Sequence, residues 1–269
     1  MYSISRTAMT LFCGSLLFIT IYTTPSIYAE QDKEKPAGSC FMKVGWEPWE
    51  PYMYLTPGNE VSGLDIELLE AIAQEAGCIV SYTQANWASL LVMVQNGEVD
   101  ILPGASITKA REAYALFSES YREEHFAFYI NSDDLAEFPK TIKGIVEANK
   151  KVGITSGYMY GDEMADLQDT QKYEANFLET DVGEANMYFL MQRSIDVFVE
   201  DPFVAIYNLR RKGLTDQIKQ LPIDIHTGNV HLMFSKATVN QKTVDRFNKA
   251  LTKMKQGRIY AKIMERYQL

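Results

Sequence analysis

The chain has 269 residues, with 26 basic against 35 acidic side chains and a formal net charge of −9. No basic stripe accompanies that balance, which argues against a nucleic-acid partner; acidity alone speaks mainly to solubility. With 46% hydrophobic residues, the length suffices for one large core or two smaller ones.

Residues 1–29 predict a secretory signal peptide. Arg6 precedes an apolar stretch from Ala8 to Ile21, and Ala29 offers a small residue for cleavage. The apolar run is short and broken by threonines, poor material for a membrane span; an uncleaved anchor is the alternative. A cut after Ala29 removes Arg6 and no acid, leaving the exported chain one charge more negative. Residues 30–39 are polar and predict a disordered leader.

Cys40 and Cys78 survive that cut. Each immediately precedes a strand-like run, Phe41-Met42-Lys43-Val44 and Ile79-Val80-Ser81-Tyr82. If those strands are parallel neighbours, the sulfurs start side by side, and an exported chain with an even count favours a disulfide. The alternative is two buried thiols. His125, His226 and His231 show no ligand spacing with the cysteines, so no metal site is expected.

Helices and strands then alternate. Leu68, Leu69, Ile72, Ala73 and Ala76 mark one helix face ending at Gly77; Trp87, Leu90, Leu91 and Val94 mark another ending at Gly97. Val99-Asp100-Ile101-Leu102 reads as a buried strand, and Phe126 to Ile130 as another. The acidic stretch Asn131 to Glu137 looks like a boundary. A second series starts at Lys151-Val152-Gly153-Ile154, with a helix after Gly157 and one from Asp181, where Asp181 and Glu184 form a capping-box pattern. Ile195 to Val199 is strand-like, and Pro202 to Lys212 predicts a helix stopped by Gly213. At the end, Val244, Phe247, Leu251 and Met254 line one face, followed by Ile259, Ile263 and Tyr267. This alternation predicts parallel sheets with crossover helices. Two α/β units of about 90 residues each fit the length.

Ligands of such sheets sit beyond the carboxyl ends of the strands. Gly104-Ala105-Ser106-Ile107-Thr108-Lys109-Ala110-Arg111 follows one such end. Thr108 looks like an N-cap, and a cation in the turn after it opposes the helix dipole unless an anion binds there. The guanidinium, free backbone N–H groups and the Ser106 hydroxyl then suggest a carboxylate site. The alternative is a surface arginine pairing with Glu112 or Glu119. Asp201 also follows a strand end; it is a good N-cap before Pro202 and a possible partner for a ligand ammonium. Gly157-Tyr158-Met159 forms a strand–turn–helix corner that offers free N–H groups to an anion, but it lacks a phosphate-loop lysine and its spacing, which argues against a nucleotide. Trp49 lies in a Pro-containing loop after the first strand and Trp87 opens a helix. Both suit pocket walls or a packed rim.

These segments together resemble the family 3 periplasmic solute-binding proteins, the polar amino-acid receptors of importers. Gly63-Leu64-Asp65-Ile66-Glu67-Leu68 looks like that family's helix-start motif. Ser106-Ile107-Thr108-Lys109-Ala110-Arg111 followed by Phe117-Ser118-Glu119-Ser120-Tyr121 is similar to its Ser/Thr-hydrophobic-Thr-x-x-Arg and Phe-Ser-x-x-Tyr. The resemblance covers nearly all of the mature chain and implies a two-lobe α/β, Venus-flytrap fold. Each lobe would be a mostly parallel sheet flanked by helices. Residues 40–130 would form the first lobe, 131–225 the second, and 226–269 would return to the first, with hinge crossovers near Ile130 and His226.

By motif position the resemblance implies that Arg111 holds a ligand carboxylate, assisted by Ser106, with the backbone near Gly104 facing the amine. Asp201 takes the ammonium, keeping its five-residue spacing from Asp196. Trp49 and Trp87 clamp the side chain, and Glu47 sits where cationic-ligand members often carry an acid. One departure stands out: where the family offers hydroxyls in the second-lobe turn, this chain has Gly157, Tyr158 and Met159. That leaves room for a modified ligand. The implied protein is a non-enzymatic, monomeric periplasmic receptor for an amino acid or related zwitterion. It would serve an inner-membrane permease and carry no cofactor. The alternatives are a cyclohexadienyl dehydratase-like enzyme, with Glu200, Glu47 or His226 as acid or base, and a sensory module.

Overall fold

A computed structural model describes residues 40–267. The proposed signal peptide, the polar leader and the final two residues lie outside the described residues. In chain order the strands are β1 (Cys40–Trp46), β2 (Tyr54–Leu55), β3 (Val61–Ser62), β4 (Cys78–Gln84), β5 (Ile101–Ala105), β6 (Ala115–Phe117), β7 (Arg122–Asn131), β8 (Val152–Thr155), β9 (Phe177–Thr180), β10 (Val197–Glu200) and β11 (Ile218–Ser235). The helices are α1 (Leu64–Glu75), α2 (Trp87–Asn96), α3 (Lys109–Glu112), α4 (Ile142–Glu147), α5 (Gly161–Gln168), α6 (Glu184–Met191), α7 (Pro202–Lys212), α8 (Gln241–Gln256) and α9 (Arg258–Tyr267).

The main sheet runs β4-β1-β5-β11-β7-β10-β8-β9, with β6 also pairing to β11. In the first half β1 lies parallel to β4 and β5. In the second, β8 lies parallel to β9 and β10. The long antiparallel strands β7 and β11 pair with each other and join the halves. Ala127 to Ile130 of β7 already pair with β10, while Met233 and Phe234 of β11 pair with β5 and β6. The two-lobe expectation therefore holds.

Cys40 stands opposite Cys78 in the β1–β4 register, and the two form a disulfide. Parallel pairing at the first residue of each strand brings the sulfurs together, as expected.

The helix stops act as read. Gly97 and Gly213 take left-handed conformations just past α2 and α7. Asn86 caps α2 by accepting from the Ser89 N–H. α6 differs: it begins at Glu184 after Gly183 with no side-chain cap, two residues later than the Asp181 capping box predicts. Gly183 takes the cap position in place of Asp181, already in helical conformation, and its missing side chain admits the Glu200 carboxyl, from which a Cβ there would lie only 2.8 Å. The helix expected after Gly157 begins at Gly161; residues 156–157 form a turn and 158–160 are irregular.

Two aspartates at strand starts pin the parallel sheets. Asp100 accepts the Lys43 N–H at 2.7 Å, and Asp196 accepts the Lys151 N–H at 2.8 Å. Each binds a backbone donor of a neighbouring strand, Lys43 midway along β1 and Lys151 just before β8, and so fixes its register. Asp65, fully buried at the start of α1, receives the Arg122 guanidinium through two bonds of 2.7 and 2.9 Å. Gly63 lets α1 start against the aromatic loop. Its φ is +126°, and a Cβ there would lie 2.2 Å from the Tyr52 carbonyl oxygen.

Among the described residues, no helix is long and apolar enough to cross a membrane. No group of three or more His, Cys, Asp or Glu side chains there could hold a metal.

Candidate functional site

A cleft of about 340 Å³, its open mouth included, lies where the two halves meet. Its wall contains Glu47, Trp49, Trp87, Gly104, Ser106, Arg111, Tyr158 and Met159, all expected from sequence, together with Met53, Pro103, Glu124 and Phe126, which were not.

Arg111 is buried, not a surface arginine. Thr108 caps the turn by accepting the Arg111 N–H, as expected. The helix after it is a single turn, however, so its dipole is small. The guanidinium is held by carbonyls: Nη1 donates to Ser106 O at 2.9 Å and Nη2 to Gly157 O at 2.8 Å. It also stacks on Trp87, 5.6 Å from the ring centroid. No carboxylate reaches it within ion-pair distance among the described residues.

Gly104 has a φ of +75° and donates its N–H to the fully buried Tyr121 hydroxyl at 2.7 Å. The Gly157 corner presents its carbonyl to the first half, where the sequence suggested N–H groups. Arg111 and the Trp87 indole N–H both donate to that oxygen. Gly157 has a φ of +77°, and a Cβ there would come within 3.3 Å of Trp87.

Tyr158 reaches from the second half between the tryptophans. Its ring stands edge-on to Trp49 and Trp87, at 6.1 and 6.2 Å between centroids. Its hydroxyl donates to Glu47 at 2.7 Å, and the other Glu47 oxygen accepts the Trp87 backbone N–H at 3.1 Å. Burial pushes the Glu47 carboxyl up to about 7, against the pull of those two donors.

Asp201 does not line the cleft. One of its oxygens caps α7 through the Phe203 and Val204 N–H groups, and the other accepts the Tyr52 hydroxyl at 3.2 Å. Its neighbour Glu200 accepts the Trp49 indole N–H at 3.1 Å, and burial pushes its carboxyl up to about 8. Glu124 accepts the Thr227 hydroxyl at 3.3 Å and lies 3.9 Å from Arg122. Burial raises it to about 7 although Arg122 pulls it down. Arg122 itself is matched by Asp65 and lies 4.0 Å from the Tyr52 ring centroid. The cleft therefore has one guanidinium without an acid partner, and four buried carboxyls in or just behind its wall.

The sequence missed Glu124. The only signal was position: Arg122 and Glu124 fall on the inward alternation of β7 with Phe126. His226, considered as an acid or base, pairs with His125 across β11 and β7, away from the cleft wall.

Residues 42–269 match the model of the bacterial extracellular solute-binding proteins, family 3. The chain belongs to that family. Among the relatives of this family 3 protein, the arginine-binding periplasmic protein of Mannheimia haemolytica is 24% identical over 81% of this chain and 87% of its own length. Two solved structures share the fold. An ancestral arginine-binding protein bound to arginine has a TM-score of 0.74 and 23% identity, covering 84% of this chain and 97% of that one. An ancestral amino-acid-binding protein, a precursor of cyclohexadienyl dehydratase, has a TM-score of 0.68 and 20% identity, covering 84% and 94%. At such identities the structural likeness establishes the fold alone.

Proposed function

We propose that this family 3 protein is a periplasmic receptor for a cationic amino acid, which it delivers to an inner-membrane permease. The carrying observation is the charge imbalance of the cleft. Arg111 is the anion site, while Glu47, Glu200 and Asp201 stand in or behind the wall without a basic side chain in ion-pair contact, and Glu124 shares Arg122 with Asp65 at 3.9 Å. A buried carboxylate is stable only when protonated or paired. A ligand with one carboxylate and two cationic groups supplies the missing pairs.

In this reading the ligand carboxylate takes Arg111, with Ser106 beside it and the backbone near Gly104 facing the amine. The side chain runs between Trp49 and Trp87 towards Glu47. The α-ammonium falls to the Glu124 side of the cleft or, once Tyr52 releases it, to Asp201. The arginine-binding name of the Mannheimia relative agrees with this charge pattern. Closure of the two halves then completes the polar shell. Export through a cleaved signal peptide and a monomeric state belong to the same reading.

Calorimetry with arginine, lysine, ornithine and histidine against citrulline, glutamine and glutamate tests it. Cationic ligands should bind at least tenfold tighter; preference for neutral or acidic ones refutes the charge argument. A dehydratase is the second reading, favoured by the raised Glu200 carboxyl beside the cleft. Turnover of prephenate or arogenate would establish it.

A further inference from the structure

Among the described residues, five hydrogen bonds between side chains and the opposing half cross the cleft, and three of them involve two adjacent residues. Gly157 places its carbonyl oxygen on the Arg111 guanidinium and the Trp87 indole. Tyr158 lays its ring between Trp49 and Trp87 and donates to Glu47. These are the positions that the functional reading gives to the ligand: an oxygen on Arg111, a side chain between the tryptophans, a donor on Glu47. The other two bonds, Trp49 to Glu200 and Tyr52 to Asp201, likewise join acids of the second half to donors of the first.

We propose that Tyr158 is a built-in competitor for the ligand side chain, so that it sets which ligands the cleft admits and at what affinity. The inference rests on the functional reading for the ligand class, but not for the tyrosine's own contacts. A ligand long enough to reach Glu47 must displace the phenol. Its apparent dissociation constant is then raised by the reciprocal of the fraction in which Tyr158 has withdrawn. That factor is the same for every displacing ligand, charged or neutral. A ligand too short to reach Glu47 leaves the phenol in place and escapes the factor. Tyr158 thus biases the cleft against long side chains as a class. Charge at Glu47 discriminates within that class. The same contacts draw the halves together in the absence of ligand.

The test uses the mature chain with Tyr158→Ala and Tyr158→Phe, both checked for cooperative unfolding. Calorimetry with arginine, citrulline and glycine reads the competition. In Tyr158→Ala, arginine and citrulline should tighten by a common factor of at least ten, and glycine by less than twofold. Tyr158→Phe keeps the ring and loses the hydroxyl, so its factor should fall between wild type and alanine. Small-angle scattering of the ligand-free proteins should show a larger radius of gyration for Tyr158→Ala than for wild type. Unchanged or weakened binding of arginine in Tyr158→Ala overturns the proposal, since the tyrosine is then a wall of the bound ligand's site. Equal radii of gyration overturn it as well. If none of the amino acids binds any variant, the functional reading fails, while the scattering comparison still decides whether Tyr158 holds the halves together.

Discussion

Replacing Glu47 by glutamine should move two measurements in opposite directions. Burial is the main influence on this carboxyl and lifts it from 4.5 to about 7, while Tyr158 and the Trp87 N–H pull it back. At about 1.4 kcal/mol for each tenfold change in proton affinity, ionising it in the folded protein costs about 3 kcal/mol. The unfolded chain releases this proton near 4.5 and the folded chain only near 7. Between those values the folded state holds more protons, so stability falls as pH rises through the window and stays low above it. Glu47→Gln removes that loss. In urea unfolding followed by tryptophan fluorescence, the ligand-free variant should match wild type near pH 4. At pH 8 it should exceed wild type by up to about 3 kcal/mol, an upper bound because an opened cleft lets water reach the carboxylate. Arginine binding at pH 8 should weaken, because a charge-assisted hydrogen bond of about 1.5–3 kcal/mol is lost, roughly 10- to 100-fold in affinity. A variant no more stable than wild type at pH 8, or one that weakens citrulline as much as arginine, refutes the reasoning.

Arg111→Ala should lower affinity for carboxylate-bearing ligands at least tenfold, consistent with a buried charged hydrogen bond of about 1.5–3 kcal/mol; unchanged calorimetric binding in a folded variant removes Arg111 from the site. Asp65→Ala strands the buried Arg122 guanidinium and should cost about 3–5 kcal/mol in urea unfolding, whereas a loss below 1 kcal/mol would show that Arg122 finds another partner. Reducing Cys40–Cys78 opens a link between residues 38 positions apart. On the chain-entropy model that costs about 4 kcal/mol, and an unmoved urea midpoint under reductant contradicts it.

Much of the architecture was legible because local signals agreed with one another. Asp201, Pro202 and Gly213 mark the two ends of α7, and all three act through their own backbone neighbourhood. Cys40 and Cys78 were legible because both stand at strand starts, so parallel pairing aligns them. The place of Arg111 in the cleft wall was legible from its position past β5. What was not legible depends on contacts distant in sequence. Nothing around Asp65 points to Arg122, 57 residues later, and a hydrophobic pattern cannot assign the inward positions Arg122 and Glu124 to a core. The Gly157 corner misled for a related reason. Strand–turn–helix chemistry suggests that N–H groups face the ligand, but with the helix delayed to Gly161 the corner turns its carbonyl to Arg111 instead. Asp181 and Glu184 matched a capping box, yet the cap falls on Gly183, whose missing side chain lets the Glu200 carboxyl approach, a neighbour distant in sequence.

The strand β11 also imposes an order of assembly. It is the last strand among the described residues, yet it is the neighbour of β5, β6 and β7. As the chain emerges from its N-terminus, β4, β1 and β5 are complete early, but the β5 edge stays bare until β11 arrives. The half that is synthesised first is therefore the last to close. At about 5–20 residues per second, the roughly 130 residues between β5 and the end of β11 correspond to about 7–25 s of synthesis. An unpaired strand edge is a template for wrong partners. This interval, and any product truncated before β11, is where a holding chaperone would matter most for this chain.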